Sequence, residues 1–274
     1  MAKYKIPIIL FLLFEIIAIV FWLSLNNLFF LLDFSYIGIC LALGTALYAA
    51  KFKFARNAVQ LAIGLYMLIY LGIILKENMM IEGFWYYLFL GVFKAAVIHY
   101  LIAKILGPLI FARGWCGYAC WTAMVLDLLP YKTRQKPRKN LAYIRYMLFV
   151  VSLLFVGALF VFSIPNIENI MFWSFIIGNL LYYGAGILLA FIFKDNRAFC
   201  KYICPITAFL KPASYFSIFR VKNDVEKCVN CGKCKKVCPM DVDMTDNSRK
   251  RTNGTECILC YECVNNCPKK SLHM

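Results

Sequence analysis

Six long apolar stretches constrain this chain more than any other feature. They cover residues 6–25, 34–50, 58–75, 84–106, 141–164 and 172–193, and a helix of about 20 residues crosses a bilayer core. Composition supports that reading: 62% of the 274 residues are apolar, against about 45–50% in soluble domains. The first stretch follows Lys3 and Lys5 but lacks a small-residue cleavage pattern, so it reads as a retained helix. The fourth carries Lys94 and His99 and is the least regular of the six. With both termini in the cytoplasm, 28 of the 30 Lys and Arg residues lie in or beside cytoplasmic segments, as the positive-inside rule requires. Asp33, Glu77, Glu82 and Glu168 fall in outer loops on this reading. The net charge of +16 is then mainly a topology signal. The basic tract 132–139 has the composition of a nucleic-acid patch. Between two spans it reads instead as an anchor touching anionic membrane lipid, with no nucleic acid as partner. Two histidines, His99 and the penultimate His273, argue against a bis-histidine haem.

Hydrophobicity falls sharply after about residue 220, and eight of the 13 cysteines lie beyond it. They read Cys228-x2-Cys231-x2-Cys234-x3-Cys238-Pro239, then Cys257-x2-Cys260-x2-Cys263-x3-Cys267-Pro268. This is the bacterial two-cluster spacing: three thiolates of one run cap one cubane, and the fourth reaches the other cluster. Cluster I is therefore assigned to Cys228, Cys231, Cys234 and Cys267, and cluster II to Cys257, Cys260, Cys263 and Cys238. Zinc sites use separated C-x2-C pairs, and a cytoplasmic location disfavours disulfides. Each proline is expected to end its loop and start a helix whose first residue is the fourth cysteine. Gly232 leaves room for backbone amides near the sulfides. So small a unit has little core of its own, and metal binding should supply much of its stability.

Four more cysteines form Cys116-x3-Cys120 and Cys200-x3-Cys204-Pro205, 84 residues apart in one frame. Arg113 matches Arg197, Trp115 matches Phe199 and Tyr118 matches Tyr202. Each pair follows a two-helix hairpin, so hairpin plus motif is an internal repeat. The repeat predicts that the motifs meet around a pseudo-two-fold axis. An i, i+4 spacing puts both thiols of a pair on one helix face. Four sulfurs at the bilayer edge suit a third cluster, a soft metal ion or thiol–disulfide chemistry. Cys40, inside the second stretch, reads as a packing residue.

With these motifs, the chain resembles the membrane polyferredoxins of the NapH/NosR/CcoG type from about residue 58 onward. It departs from them at Trp121, where C-x3-C is commonly followed by proline, and its plan is nearest to NapH. The expected fold is a polytopic α-helical membrane protein of about six spans with a C-terminal α+β 2[4Fe-4S] ferredoxin domain. The expected divisions are residues 1–57, 58–215 and 216–274. The resemblance implies electron transfer at the inner membrane, between a quinone or membrane redox complex and a partner protein, with the ferredoxin domain cytoplasmic. The alternative is a metal-ion reductase handling copper through the paired C-x3-C motifs. Glu15, Lys94 and His99, ionisable groups inside spans, are the candidates for proton transfer to a quinone.

Overall fold

The computed structural model describes residues 5–52, 54–133 and 136–274. Lys3 and Lys53, and Arg134 within the basic tract, lie outside the described residues. Helix α1 (Lys5–Leu25) and α2 (Leu28–Ala49) form an antiparallel pair. The Asn27 side chain starts α2 by accepting from the Phe29 N–H at 2.9 Å. Helix α3 (Ala55–Leu65) continues as a π-helix over Tyr66–Ile74. Helices α9 (Ile144–Val161) and α10 (Ile167–Phe193) are joined by a short turn, and both pack against the helix at Ile81–Phe89 rather than on each other. Five helices are thus long and apolar enough to cross a membrane.

The expected span at 84–106 is not one helix. Helix α4 (Ile81–Phe89) ends before Gly91, whose φ of +68° suits glycine. The chain restarts at Ala95 as α5 (Ala95–His99), a π-helix over Tyr100–Leu106, and α6 (Gly107–Phe111). This passage of 17 residues extends about 25 Å at ~1.5 Å per residue. Lys94 sits at its start and not inside a span. The break is held together by Glu77, which takes backbone N–H groups of Ala95 and Ala96, and by Asn78, which donates to the Met171 carbonyl at 2.9 Å. Asp33 and Glu82 also depart from expectation, since they belong to α2 and α4 and not to loops.

The core is aromatic. Phe84 stacks on Tyr100, and Trp85 packs edge-on against Phe149. Trp121 donates its indole N–H to Asn179 at 2.8 Å, which removes the cost of burying both groups. Between the spans run α7 (Gly114–Tyr118), α8 (Trp121–Leu126), α11 (Ala198–Tyr202) and α12 (Thr207–Tyr215). The C-terminal unit has two short helices, α13 (Lys233–Val237) and α14 (Glu262–Asn265). Its ends are closed by β1 (Lys222–Asn223) pairing antiparallel with β2 (Leu272–His273).

Candidate iron–sulfur sites

Two cavities in the C-terminal unit are each lined by four cysteines. One is lined by Cys228, Cys231, Cys234 and Cys267. The other is lined by Cys238, Cys257, Cys260 and Cys263. Each cavity takes three cysteines from one run and the fourth from the other. One local expectation fails. Cys234 and Cys263, the third cysteines, lie inside α13 and α14, whereas Cys238 and Cys267 follow the helices. The prolines therefore come after a helix and start none. Backbone N–H groups of Leu259, Glu262 and Val264 point to Cys257, Cys260 and Cys263. Val242 N–H lies 3.4 Å from the Cys238 sulfur. Such donors favour thiolate over thiol. Cubane chemistry fits this set of donors: cavities with four sulfurs apiece and amides aimed at the sulfurs. Among the described residues no three His, Cys, Asp or Glu side chains converge on a single metal ion. A single zinc would need its sulfurs about 3.8 Å apart, given Zn–S bonds of ~2.3 Å.

The two cavities differ in burial. Cys231 is exposed and Cys228, Cys234 and Cys267 are half-buried, whereas all four cysteines of the second cavity are buried. Burial pushes the Cys257 thiol up to about 11 and the Cys260 thiol up to about 12. Cys267 goes the other way: burial raises it, but the Ser271 hydroxyl and nearby backbone N–H groups outweigh that and hold it low.

The second cavity faces the membrane base. Arg113 N–H donates to the Cys257 carbonyl at 3.1 Å, and the Tyr118 hydroxyl donates to the Leu259 carbonyl at 3.1 Å. Gly117 is required here, since a Cβ would stand 2.4 Å from the Ile258 carbonyl oxygen. Ala112, at φ +48°, makes the turn that aims Arg113 at this loop. Glu256 is the main anchor. It takes two bonds of 3.0 Å from Arg138 and one of 3.1 Å from Arg145, with Arg113 and Lys211 each at 3.7 Å. Burial would raise this carboxyl, but Arg113, Arg138 and Arg145 outweigh it and hold it below the usual range. Lys201, buried, bridges Asp195 at 2.6 Å and Asp241 at 2.8 Å, tying base to ferredoxin unit again.

The repeat predicted from Cys116/Cys120 and Cys200/Cys204 is visible in the backbone. Both motifs begin with an arginine ahead of a five-residue helix, α7 or α11. Each arginine crosses to the other copy: Arg197 donates to the Cys116 carbonyl at 3.1 Å, and Arg113 reaches the Thr207 hydroxyl at 3.4 Å. The four thiols come close enough to interact: Cys204 with Cys116 and Cys120, and Cys200 with Cys204 and Cys120. The shared helix face is not found. Cys116 and Cys200 lie within α7 and α11, but Cys120 and Cys204 lie past the helix ends, Cys120 in extended conformation. Burial pushes Cys200 up to about 12 and Cys204 up to about 11.

Three residues of this site escape motif reading: Lys104, Asp127 and Glu256. Lys104 is 2% exposed, faces Cys116, Cys120 and Cys204, and lies over the Trp115 ring. Asp127 pairs with Arg197 and with Arg56, the latter at 2.6 Å. It is the lone carboxylate between Glu82 and Glu168, and that isolation is the signal that marks it.

Sites of this kind, joined to apolar helices, define a membrane iron–sulfur electron-transfer protein. Residues 220–268 match the 4Fe-4S dicluster domain. Residues 96–140 and 170–223 match the 4Fe-4S binding domain, once for each copy of the repeat. An uncharacterized protein of Methanocaldococcus jannaschii is 30% identical over 188 residues, covering 63% of this chain and 76% of the relative. The ferredoxin-type protein NapH of Escherichia coli K12 is 26% identical over 186 residues, covering 61% and 63%. YccM of the same organism, provisionally named for electron transport, is 24% identical over 198 residues, covering 65% and 55%. The chain belongs to the membrane polyferredoxin-type family of 4Fe-4S proteins. No solved structure matches it.

Proposed function

We propose that the chain holds three [4Fe-4S] clusters and conducts single electrons between the membrane and a partner protein at the cytoplasmic face. Cluster I is held by Cys228, Cys231, Cys234 and Cys267, and cluster II by Cys238, Cys257, Cys260 and Cys263. Cys116, Cys120, Cys200 and Cys204 hold the third. Bound clusters supply one-electron storage, at potentials set by charge, hydrogen bonds and exposure. The chain's residues order the path: Arg113 and Tyr118 hold the cluster II loop against the membrane-edge motif, and Cys231 leaves cluster I open to a partner.

Charge is the observation that carries the third cluster. Lys104, Arg113 and Arg197 face the four thiols. The carboxylates they could use, Asp127 and Glu256, are shared with Arg56, Arg138, Arg145 and Lys211. Seven cations thus stand around two carboxylates. Neutral thiols leave that excess uncompensated in a buried place, which is costly, whereas thiolates bound to iron balance it. The copper-handling alternative gains nothing from the arrangement, because among the described residues no three ligands meet on one ion.

Iron and acid-labile sulfide counting on anaerobically purified protein tests the reading. About twelve irons per chain are expected, four per cubane. About eight irons with four thiols still free would overturn the third cluster. Cys200→Ser should reduce the iron content and leave the ferredoxin EPR signal intact.

A further inference from the structure

We propose that Arg220, Arg249 and Arg251, with Ser214, bind the phosphate of an anionic phospholipid at the membrane edge, and that Phe216 and Ile218 lie against its acyl chain. The site is separate from the basic tract 132–139 and sits where the chain passes from the membrane base into the ferredoxin unit.

The three arginines and Ser214 line one cavity. Each guanidinium is fixed at one corner by a backbone carbonyl. Arg220 Nη2 donates to the Asn247 carbonyl at 2.6 Å, Arg249 Nη1 to that of Tyr215 at 2.6 Å, and Arg251 Nη1 to that of Val221 at 2.7 Å. A guanidinium carries five donors, so the fixed heads keep N–H groups for a further acceptor. Among the described residues no carboxylate lines the cavity. The nearby Asp246 directs its oxygens to the Ser248 N–H at 2.6 Å and the Ser248 hydroxyl at 2.8 Å. Burial, and then the charges of Arg251 and Arg249, hold Arg220 below its ordinary value against the pull of Asp246. Three cations crowded in this way favour an anion among them, and arginine forks match phosphate. Ser214 points to the same ligand independently. It is 4% exposed, and its Oγ has no hydrogen-bond partner among the described residues. A buried hydroxyl left without a partner is costly, and a phosphate oxygen accepts from it. The cavity has room for about one water-sized atom. One phosphate oxygen fills it, and the rest of the headgroup stays at the mouth, where Arg249 is exposed.

Position selects a lipid phosphate over a free one. The Ile218 and Phe219 N–H groups donate to the Leu109 and Ile110 carbonyls at 2.9 and 2.8 Å. Those carbonyls belong to α6, the end of the passage that starts at Ala95. Phe219 also stacks on Phe111 of α6. Residues 216–219 are thereby pinned at the bilayer edge, with Phe216 63% and Ile218 70% exposed. Apolar side chains beside a cationic cluster match a molecule that carries an acyl chain beside a phosphate, and basic pockets at this depth suit anionic headgroups. A choline or ethanolamine group would bring an ammonium back to three guanidinium groups. The headgroup is therefore one of net negative charge, as in phosphatidylglycerol. Cys257 lines the same cavity, so the bound phosphate stands beside the loop that docks on Arg113.

Native mass spectrometry of the full-length, cluster-loaded protein in neutral detergent tests this. The probes are dioctanoyl phosphatidylglycerol and dioctanoyl phosphatidylcholine, with inorganic phosphate as competitor. Phosphatidylglycerol should bind first and more tightly by about tenfold or more, the worth of one hydrogen bond to a charged group. Arg249→Gln should remove that advantage and Ser214→Ala should reduce it. Lys250→Gln, next in sequence but outside the cavity, should leave it unchanged. Ile218→Ser should weaken the lipid while inorganic phosphate competes better. Equal affinity for the two lipids, or wild-type affinity in Arg249→Gln, would overturn the proposal. Full displacement of phosphatidylglycerol by an equal concentration of inorganic phosphate would assign the site to a free anion and overturn the lipid. Cluster EPR checks that each variant is folded. If Arg249→Gln loses that signal, Ser214→Ala and Ile218→Ser decide, and wild-type affinity in both overturns the site.

Discussion

The two ferredoxin cavities are written in the same sequence spacing and live in opposite environments. Cys231 of one is exposed, and all four cysteines of the other are buried. Lys233, Lys235 and Lys236 surround the first run, whereas the second follows Glu256 and its guanidinium partners. The motif thus fixes what can be bound, and the residue before it fixes which way the site faces. A carboxylate ahead of Cys257 docks that loop on a cationic base. Lys227 ahead of Cys228 pairs with its near neighbour Asp224, in solvent. One half of a duplicated unit is enclosed against the base and the other stays open to solvent.

The largest effect expected from breaking this contrast is that of Glu256→Gln. It removes the charge that holds Arg113 and Arg145, each at most 1% exposed. Breaking a buried pair from one side costs about 3–5 kcal/mol. Denaturant unfolding should show that loss, and proteolysis near residue 220 should release the ferredoxin unit. A variant as stable as the wild type would mean that Glu256 is not the anchor. Its pH dependence has a definite sign. The folded-state carboxyl is held low, so its stabilisation is full above the ordinary glutamate range of ~4.3 and is lost as pH falls through the lower folded value. Docking should therefore persist at pH 5 and fail only in stronger acid.

Ligand loss should separate the cavities next. Cys260→Ser disturbs a buried site beside the base, so both iron content and thermal stability should fall. Cys231→Ser disturbs an exposed one, so about four irons should be lost with the docked unit still resistant to protease. Equal destabilisation by the two would erase the distinction.

The sequence makes one of these levels plain and hides the other. Sorting of the ferredoxin cysteines into two sets follows from spacing, because tight loops leave the thiols few places to go. The crossing helices follow from apolar length. What spacing misses are features set by partners distant in the chain. Glu256 meets Arg138 and Arg145 across more than 100 residues. The break before Ala95 depends on Glu77 capping the new helix, which apolar content in the window 84–106 does not register. The i, i+4 pairs mislead for a related reason: α7 and α11 each stop after one turn, so a helical spacing is used where the helix has ended. Duplication of the motif nevertheless identifies the partners correctly, since Arg113 and Arg197 each reach across to the other copy.

The smallest effect concerns the metal-free thiols, where the contrast becomes kinetic. Iodoacetamide attacks thiolates. Burial pushes Cys257 up to about 11 and Cys260 up to about 12, while Cys267 is held low by the Ser271 hydroxyl and backbone N–H groups. At pH 8 the buried pair is protonated and enclosed, so Cys267 and the exposed Cys231 should be alkylated first in folded, metal-free protein. Raising the pH toward 10 should speed labelling of Cys257 and Cys260, because their thiolate fraction grows about tenfold per unit below the titration point. Peptide mass spectrometry reads both rates in one sample. If the two runs label together at pH 8, the ferredoxin unit has left the base in the absence of clusters, and iron would then be a condition of docking as well as of electron transfer.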